Sequence, residues 1–350
     1  MEKIEKLIER YKNMRSRRRL QECCVNEYSF VGFGGHSVDN LYPVLDYLHV
    51  PLKYICCRSK EKARLIERKY SGITVTTDLD DILSDDSVRG VFVSASPSAH
   101  FGIASEVLKA NKALFVEKPP CGTLEELDVL TRLADQRNVP AVVGMQKRYS
   151  PVTQALRKAL RKDVAKSYSL RYVTGRYPEG DSLTDLFIHP LDYVSFLFGD
   201  AVVQGFETVR TSGGGVTMML ILRHRCVSGM LELSTSASWA SSEESLVVRS
   251  VKGTYEMHGM EMLTFRPHCG TFMGVPLEKI IHHQPVSVEL FSRNYFIPSM
   301  TNNQIYTQGF YPEIKAFVDA VEGHGAKLLS TIPTLRPTYN LIDELHARFR

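Results

Sequence analysis

The chain has 350 residues, more than one ordinary hydrophobic core contains, and about two domains are expected. Its 43% hydrophobic and 23% charged residues are near the globular average, which excludes a disordered or fibrous protein. The net charge of +4 is small for this length and gives no reason to expect a nucleic acid partner. No apolar run reaches the roughly 18 residues that span a bilayer, so no membrane partner is expected either.

The number and spacing of the cysteines bear on the cellular compartment. There are seven, an odd number, and two pairs are adjacent in sequence, at Cys23-Cys24 and Cys56-Cys57. This spacing fits neither a disulfide framework nor a zinc ligand set. The sequence therefore predicts a cytoplasmic protein with reduced cysteines and without a metal site.

Residues 1–26 predict a helical extension ahead of the first domain. Four arginines lie between positions 15 and 19. Before them, five apolar residues recur at helical spacing: Ile4, Leu7, Ile8, Tyr11 and Met14. We expect this helix to pack on its own body or on a neighbouring subunit, with contact to a membrane or nucleic acid as the alternative.

Strands and helices alternate over 27–150, which predicts a doubly wound parallel sheet with helices on both faces. The apolar runs place strands over 27–32, 52–57, 90–94, 113–116 and 141–144. The helical patterns lie between them, over 36–48, 60–70, 100–110 and 124–137.

Past Pro151 the pattern changes to longer strand-like runs, which predicts a second domain over 151–350. Strands are expected over 166–174, 201–211, 216–225, 228–234 and 245–250, with one helix over 183–198 among them. Runs of strands with few helices between them indicate an α+β domain on a largely antiparallel sheet. Irregular excursions over 257–308 and helical segments over 313–322 and 334–349 complete the chain.

The first predicted strand runs into a glycine turn. Gly32 permits a tight turn and Gly34 lets the backbone come close to a phosphate, while the following helix points its N–H groups at the anion. A structural turn without a ligand is the alternative. The pattern predicts a dinucleotide site formed by Gly32, Phe33, Gly34, Gly35, His36 and Ser37.

The end of the second strand bears on the choice of cofactor. An acid that binds the ribose hydroxyls of NAD is expected there, but the residue is Cys57, followed by Arg58 and Ser59. A neutral residue next to a cation and a hydroxyl suits a 2′-phosphate. We therefore predict NADP(H) as the favoured cofactor and NAD(H) as the other possibility.

Two further segments follow strands at the same edge of the sheet, where folds of this kind hold ligands. Ser96, Pro97, Ser98 and His100 follow the third strand as candidate cofactor contacts, although serine and proline are also ordinary turn formers. After the fourth strand comes Glu117-Lys118, held before two prolines. A lysine fixed in this way is typical of a placed catalytic group.

These residues together resemble the glucose-fructose oxidoreductase and inositol dehydrogenase family, also called Gfo/Idh/MocA. The resemblance runs over about 27–349 and rests on Gly32 and Gly34, on Ser96-Pro97 with His100, on Glu117-Lys118-Pro119, and on Asp185, His189 and Asp192. It implies an N-terminal Rossmann domain and a C-terminal domain whose open sheet forms homodimer or homotetramer contacts. It also implies hydride exchange between a nicotinamide cofactor and a sugar, polyol or related hydroxyl compound.

The residue types agree with that chemistry. Oxidising an alcohol requires a base for the hydroxyl proton, and His189 is the preferred general acid/base because imidazole titrates near neutral pH. Lys118 could stabilise alkoxide charge or share the proton. Asp185 lies four residues before His189, so on one helix it would share a face with it and orient it or bind a substrate hydroxyl.

Two departures from the family pattern qualify this prediction. The family usually has a glycine-rich segment before this helix, whereas here Gly180 is its one glycine. Pro190 directly follows His189 and predicts a kink there. At the seam of the two domains, Lys147, Arg148 and Tyr149 are candidate contacts for substrate hydroxyls or a carboxylate, with ordinary surface residues as the alternative. Lys118, Asp185 and His189 are the other candidate substrate contacts.

The sequence thus predicts an oxidoreductase that transfers hydride between NADP and a hydroxyl or carbonyl group of a sugar, polyol or related compound. The alternative is a non-catalytic regulatory or structural protein that binds a dinucleotide on the same fold, because fold does not fix function.

Overall fold

The computed structural model describes residues 2–21, 24–178, 180–282 and 286–349. In the first helix, side chains are described for residues 3–14, so the side chains of the predicted arginine cluster lie outside the described residues. None of the described helices is long and apolar enough to cross a membrane.

The N-terminal half is built on a six-stranded parallel sheet in the order β3-β2-β1-β4-β5-β6. Its strands are β1 (Glu27–Val31), β2 (Leu52–Cys56), β3 (Thr74–Thr76), β4 (Val88–Val93), β5 (Ala113–Val116) and β6 (Ala141–Val143). The predicted doubly wound parallel sheet is therefore confirmed. The short edge strand β3 was absent from the prediction because three partly exposed residues carry no apolar run.

Helices cover both faces of this sheet. The chain's α-helices are α1 (Glu2–Gln21), α2 (Tyr42–Tyr47), α3 (Lys60–Lys69), α4 (Asp80–Leu83), α5 (Pro97–Lys109), α6 (Leu124–Arg137), α7 (Pro151–Leu160), α8 (Ile188–Phe198), α9 (Gln304–Thr307), α10 (Phe310–Val321) and α11 (Arg336–Phe349). A turn of π-helix, Ser37–Leu41, precedes α2. Helix α6 has the predicted bounds because Thr123 caps its first turn and Asn138 ends it in the left-handed conformation.

The C-terminal half is built on an eight-stranded mixed sheet in the order β16-β13-β12-β11-β7-β10-β9-β8. Only β7 and β10 run parallel, so the predicted largely antiparallel sheet is confirmed. The strands are β7 (Ala165–Gly175), β8 (Ala201–Arg210), β9 (Val216–His224), β10 (Ser228–Ala237), β11 (Glu243–Ser250), β12 (Gly253–His258), β13 (Met262–Pro267) and β16 (Val288–Ser292), with a separate hairpin of β14 (Thr271–Phe272) and β15 (Val275–Pro276).

Burial alternates along β9 and β10, so this sheet has one face in the core and one face exposed. Helix α7 at the start of this half was not predicted. Pro151 suits the first turn of a helix, but it was interpreted only as the point where the pattern changes.

Helix α10 and the segment around Thr331, both beyond residue 150, pack on the N-terminal sheet. Phe317 on α10 packs edge to face on Phe92 at 5.2 Å and lies 5.8 Å from the ring of Phe115. An isolated antiparallel bridge also joins Thr331 to Val142 on the edge strand β6. Helix α10 therefore belongs to the same hydrophobic core as the parallel sheet.

One carboxyl group is buried under α10. Glu313 is fully buried, and Ser330 Oγ donates to its Oε1 at 3.2 Å, while Oε2 has no hydrogen-bond partner among the described residues. Burial raises the pKa of Glu313 well above its ordinary value of 4.5, and the charge of Glu117 acts in the same direction. Burial therefore favours the protonated form of Glu313 in the folded protein.

This gives a prediction on stability. When the pKa of an acid is higher in the folded than in the unfolded chain, its contribution to the free energy of unfolding is complete below the unfolded pKa. This contribution is lost as pH rises toward the folded pKa. Between pH 5.5 and pH 8 the free energy of unfolding should fall in the parent by at least about 1 kcal/mol more than in Glu313→Gln, since one pKa unit corresponds to about 1.4 kcal/mol. Urea unfolding at both pH values measures this, with the exposed Glu106→Gln as control; an equal loss in parent and Glu313→Gln would refute it.

Candidate active site

The candidate residues meet at the carboxyl ends of β1, β4 and β5. The glycine turn follows β1, Ser96 follows β4, and Glu117-Lys118 follows β5. The strand order reverses at β1 and β4, and folds of this kind bind ligands where it does so.

The glycine turn is shaped to let a ligand approach its backbone. Gly32 has φ +82°, and a Cβ there would lie 2.4 Å from the carbonyl oxygen of Ser94, so this position requires glycine. At Gly34 and Gly35 nothing lies within 4 Å of where a Cβ would be. This open space fits the pyrophosphate of a dinucleotide.

Four of the predicted cofactor contacts turn their side chains into the protein, which corrects the sequence analysis. Phe33 packs edge to face on Phe30, 6.0 Å away. The Ser37 hydroxyl donates to Ser94 Oγ at 3.0 Å, and Cys57 is buried. The fourth is His100. Only the backbone of these residues remains available to a cofactor.

His100 joins two loops of the site. Its ring is buried, with Nδ1 2.7 Å from the carbonyl oxygen of Pro119 and Nε2 3.0 Å from that of Ala95. The ring thus links the turn after β4 to the segment after Lys118. This role is structural, and the predicted direct contact with the cofactor is not what the geometry shows.

The residues after β2 remain accessible. Arg58 and Ser59 are exposed, and the Ser59 hydroxyl accepts the backbone N–H of Lys62 at 3.3 Å, which caps α3. Ser96, Pro97 and Ser98 are also exposed, and Pro97 is the first residue of α5. Helix α5 therefore begins three residues before the predicted start at 100.

Glu117 connects the glycine turn to the catalytic candidate. His36 Nε2 lies 3.4 Å from Glu117 Oε1, and Glu117 Oε2 accepts the backbone N–H of Lys118 at 3.3 Å. A Cβ at Gly144 would lie 2.8 Å from Glu117 Oε1, so that glycine makes room for the carboxylate. Burial raises the pKa of Glu117, but the hydrogen bond to His36 and the nearby cations outweigh it, and the net pKa is lowered. The group is a buried carboxylate.

Lys118 reaches from the parallel sheet to the second half of the chain. Its Nζ donates to the backbone carbonyl of Asp185 at 2.7 Å. Burial lowers the pKa of Lys118, while the charges of Glu117 and Asp185 oppose that shift. The ammonium group is therefore held next to the segment that carries the other two catalytic candidates.

That segment is not one helix, which corrects two predictions. Asp181 caps a π-helical turn, Ser182–Leu186. The helical structure is interrupted at Phe187, and α8 begins at the next residue. Pro190 is the third residue of α8, where a backbone N–H has no partner within the helix, so it causes no kink at His189. Asp185 lies before the break, and no hydrogen bond joins its carboxylate to His189 within the described chain.

The side chain of Asp185 instead lies against Gly180, where a Cβ would come within 2.1 Å of Oδ2. Burial raises the pKa of Asp185, and the charge of Asp181 adds to the shift. Gly180 thus makes room for the carboxylate of Asp185.

His189 carries a neutral imidazole. Burial lowers the pKa of His189 well below 6.5, and the charges of Lys118 and Lys147 lower it further. A neutral ring beside an ammonium group can accept a proton from a hydroxyl group.

A second cation lines the site beyond His189. Lys147 Nζ forms a close ion pair with Glu244 and lies 4.8 Å from the ring centroid of Tyr172. Glu244 and Tyr172 are register partners on β11 and β7. Glu244 could not be predicted from local sequence, because its position at the site depends on the pairing of distant strands.

The two predicted substrate contacts next to Lys147 are structural, which is a correction. Arg148 is fully buried and forms a bidentate pair with Asp192, with Nε 2.9 Å from Oδ2. The Tyr149 hydroxyl accepts the backbone N–H of Leu329 at 2.7 Å. Their polar groups are satisfied inside the protein, so neither offers a free group to a substrate.

The glycine turn after β1 and the lysine after β5 are features of the nicotinamide-dependent oxidoreductase class. Residues 27–145 match the family model GFO_IDH_MocA, described as an oxidoreductase family with an NAD-binding Rossmann fold. Over these residues the chain matches the Gfo/Idh/MocA family, so the resemblance predicted from the sequence is confirmed.

Individual proteins extend the similarity beyond that domain. Inositol 2-dehydrogenase of Rhizobium meliloti is 23% identical over 264 residues, which cover 70% of this chain and 73% of that protein. A dehydrogenase from Chromobacterium violaceum has the same fold, with a TM-score of 0.78 at 19% identity over 93% of this chain and 96% of that one. KijD10, a 3-ketoreductase from Actinomadura kijaniata solved with TDP-benzene and NADP, gives a TM-score of 0.70 at 15% identity over 91% and 96% of the two chains.

The position of Lys147 yields a prediction on pH dependence. Removing its charge in Lys147→Gln removes one of the forces that lower the pKa of His189, so that pKa should rise. In Glu244→Gln the lysine charge loses its partner, and the pKa of His189 should stay low or fall.

The measurement is histidine NMR titration of both variants against the parent protein. A rise of about half a unit or more in Lys147→Gln alone is expected, since charge pairs at this range shift pKa values by this order. An upward shift of similar size in both variants would show that the lysine charge is not the cause.

Proposed function

We propose that the protein is an NADP-dependent oxidoreductase that acts on a CH–OH or carbonyl group of a sugar, polyol or related compound. The observation that carries this proposal is the contact of Lys118 Nζ with the Asp185 carbonyl at 2.7 Å. It holds the ammonium group at the segment that leads into His189, and the charge of Lys118 contributes to the lowered pKa of that ring.

The residues present fit a nicotinamide dinucleotide. The open space above Gly34 and Gly35 would accept its pyrophosphate, and the exposed Arg58 with Ser59 would hold a 2′-phosphate. When bound, the nicotinamide supplies a hydride acceptor or donor. The exposed Ser96, Pro97 and Ser98 lie at the same edge and would contact it as well.

The proton is handled by the protein itself. In the oxidation direction the substrate carbon gives up a hydride and its hydroxyl gives up a proton. His189 accepts that proton, and the Lys118 ammonium stabilises the negative charge that develops on oxygen. In reduction the same two groups act in reverse, with His189 donating the proton.

The assignment of the chain's parts follows. We infer that residues 27–150, together with α10, form the part that binds the dinucleotide. The rest of 151–350 supplies His189 and the other residues that line the substrate site. The outer face of the second sheet exposes Met219, Ile221 and Met230, which supports assembly into a homo-oligomer. The unpaired cysteines of the described chain, such as Cys56, support a cytoplasmic protein.

Arg58 provides a test of the cofactor choice. A charge-assisted hydrogen bond contributes about 1.5 to 3 kcal/mol, so Arg58→Gln should weaken NADPH binding by about tenfold or more and leave NADH binding unchanged. Fluorescence titration with both nucleotides measures this. Arg68→Gln, at the other end of α3, is the matched control. NADH binding as tight as NADPH binding in the parent protein would contradict the preference.

The catalytic assignment has its own test. Lys118→Met and His189→Gln should each reduce turnover by about a hundredfold or more, the usual contribution of a positioned acid–base group, while NADPH binding changes little. The exposed Lys166→Met and His258→Gln are the controls. Turnover is measured with a panel of sugars, inositols and sugar acids. Normal activity in either site variant would remove that residue from the mechanism, and cofactor binding without turnover on any substrate would favour the regulatory alternative.

A further inference from the structure

Helix α1 exposes an apolar stripe that packs on nothing in the described chain. Its five apolar residues remain between 48% and 68% exposed: Ile4, Leu7, Ile8, Tyr11 and Met14. This helix was expected to pack on its own body or on a neighbouring subunit. The described chain leaves the apolar side exposed, so an occupant would come from outside the chain.

The distribution of charge around α1 indicates what that occupant is. At 3.6 residues per turn the apolar stripe covers about a third of the helix circumference. Lys3 and Arg10 fall along one edge of the stripe and Lys12 along the other. Glu9 falls opposite the stripe, Lys6 also lies on the far side, and Glu5 falls next to Lys12. Cations along both edges of an apolar stripe are the pattern of a helix lying in the interface of an anionic bilayer.

The net charge of the whole chain leads to the same conclusion. Residues 2–22 contain eight of the 43 lysines and arginines and four of the 39 aspartates and glutamates. The remaining 35 residues of each sign cancel, so the entire net charge of +4 belongs to this segment. A basic amphipathic helix on an otherwise neutral protein is attracted to an anionic surface at about 1 kcal/mol per basic residue near it.

The other occupants fit less well. A second copy of α1 could pair only over about two heptads, with Ile4 and Tyr11 at one core position and Leu7 and Met14 at the other, and the edges of both helices are basic. Like charges along the seam would repel. Nucleic acid would bind the cations but leave the apolar stripe without a partner.

We propose that α1 binds the protein reversibly to the surface of an anionic lipid bilayer. The apolar stripe enters the boundary between headgroups and acyl chains, and the flanking lysines and arginines contact lipid phosphates. The expectation that no membrane partner exists rested on the lack of a spanning segment, and a helix that lies on the surface needs none. This proposal does not depend on the proposed enzymatic function.

The test is co-sedimentation of the full chain with extruded vesicles. Binding is expected to vesicles of phosphatidylcholine mixed with phosphatidylglycerol, to decrease with salt, and to be weak with phosphatidylcholine alone. The double variant Leu7→Ser with Tyr11→Ser should bind the mixed vesicles at least about tenfold more weakly, since each buried methylene contributes about 0.8 kcal/mol. Glu9→Ser with Asn13→Ser places the same substitutions on the opposite face and should bind at least as well as the parent.

Three results would overturn the proposal. One is no binding to mixed vesicles by a parent protein that still binds NADPH. Another is binding by the Leu7→Ser, Tyr11→Ser double variant (the stripe variant) that equals binding by the parent. The contact with the vesicles would then depend on charge alone, as a contact with nucleic acid would. The third is a dimer in sedimentation velocity that is lost in the stripe variant and persists in the presence of vesicles, which would assign the stripe to a second copy.

Discussion

The site depends on one hydrogen bond that crosses between the two halves of the chain. Lys118 stands at the end of β5 in the parallel sheet, and its Nζ is held by the carbonyl of Asp185 in the segment before α8. The first half supplies the ammonium group of Lys118 and the second half supplies His189, so neither half contains both of the proposed acid–base residues. Because Lys118 is fixed at its backbone by Glu117 and at its tip by Asp185, the cleft between the halves has little freedom to change the distance between its proton-handling groups.

The buried polar groups behind the site serve that geometry. Arg148 and Asp192 hold the seam of the two halves through a bidentate pair, and Thr338 donates to Asp192 Oδ1 at 3.0 Å. Removing one member of such a pair leaves an uncompensated buried charge at a cost of about 3 to 5 kcal/mol. Residues that look in the sequence like substrate contacts are therefore needed to hold the contacts between the halves.

Local signals explain which elements could be predicted from the sequence. Strand β5 and helix α6 were predicted at their observed bounds, because Ala113–Val116 is a continuous apolar run and Asn138 suits the left-handed end of a helix. The break at Phe187 was not predicted, because a proline near a helix start and a proline that kinks a helix give the same local pattern. The choice between them depends on the packing of the preceding turn.

The candidate site shows the same limit. The glycine turn, Lys118 and His189 were found from residue type and order along the chain. The pair of Lys147 and Glu244 joins residues 97 positions apart, and the partner is set by the register of β11 on β7. Burial decided the rest: Cys57 and His100 stand at positions typical of cofactor contacts, but their side chains face the core.

The electrostatics of His189 bear on the direction of the proposed reaction. Burial and two lysines keep the ring in the neutral form that accepts a proton, and the same lowering of its pKa makes the ring a weaker base. Oxidation of a hydroxyl group would start from this neutral form. Reduction requires His189 to be charged beforehand, against the field of Lys118 and Lys147. Glu244 partly neutralises Lys147, so this ion pair controls how strongly the site favours the neutral ring.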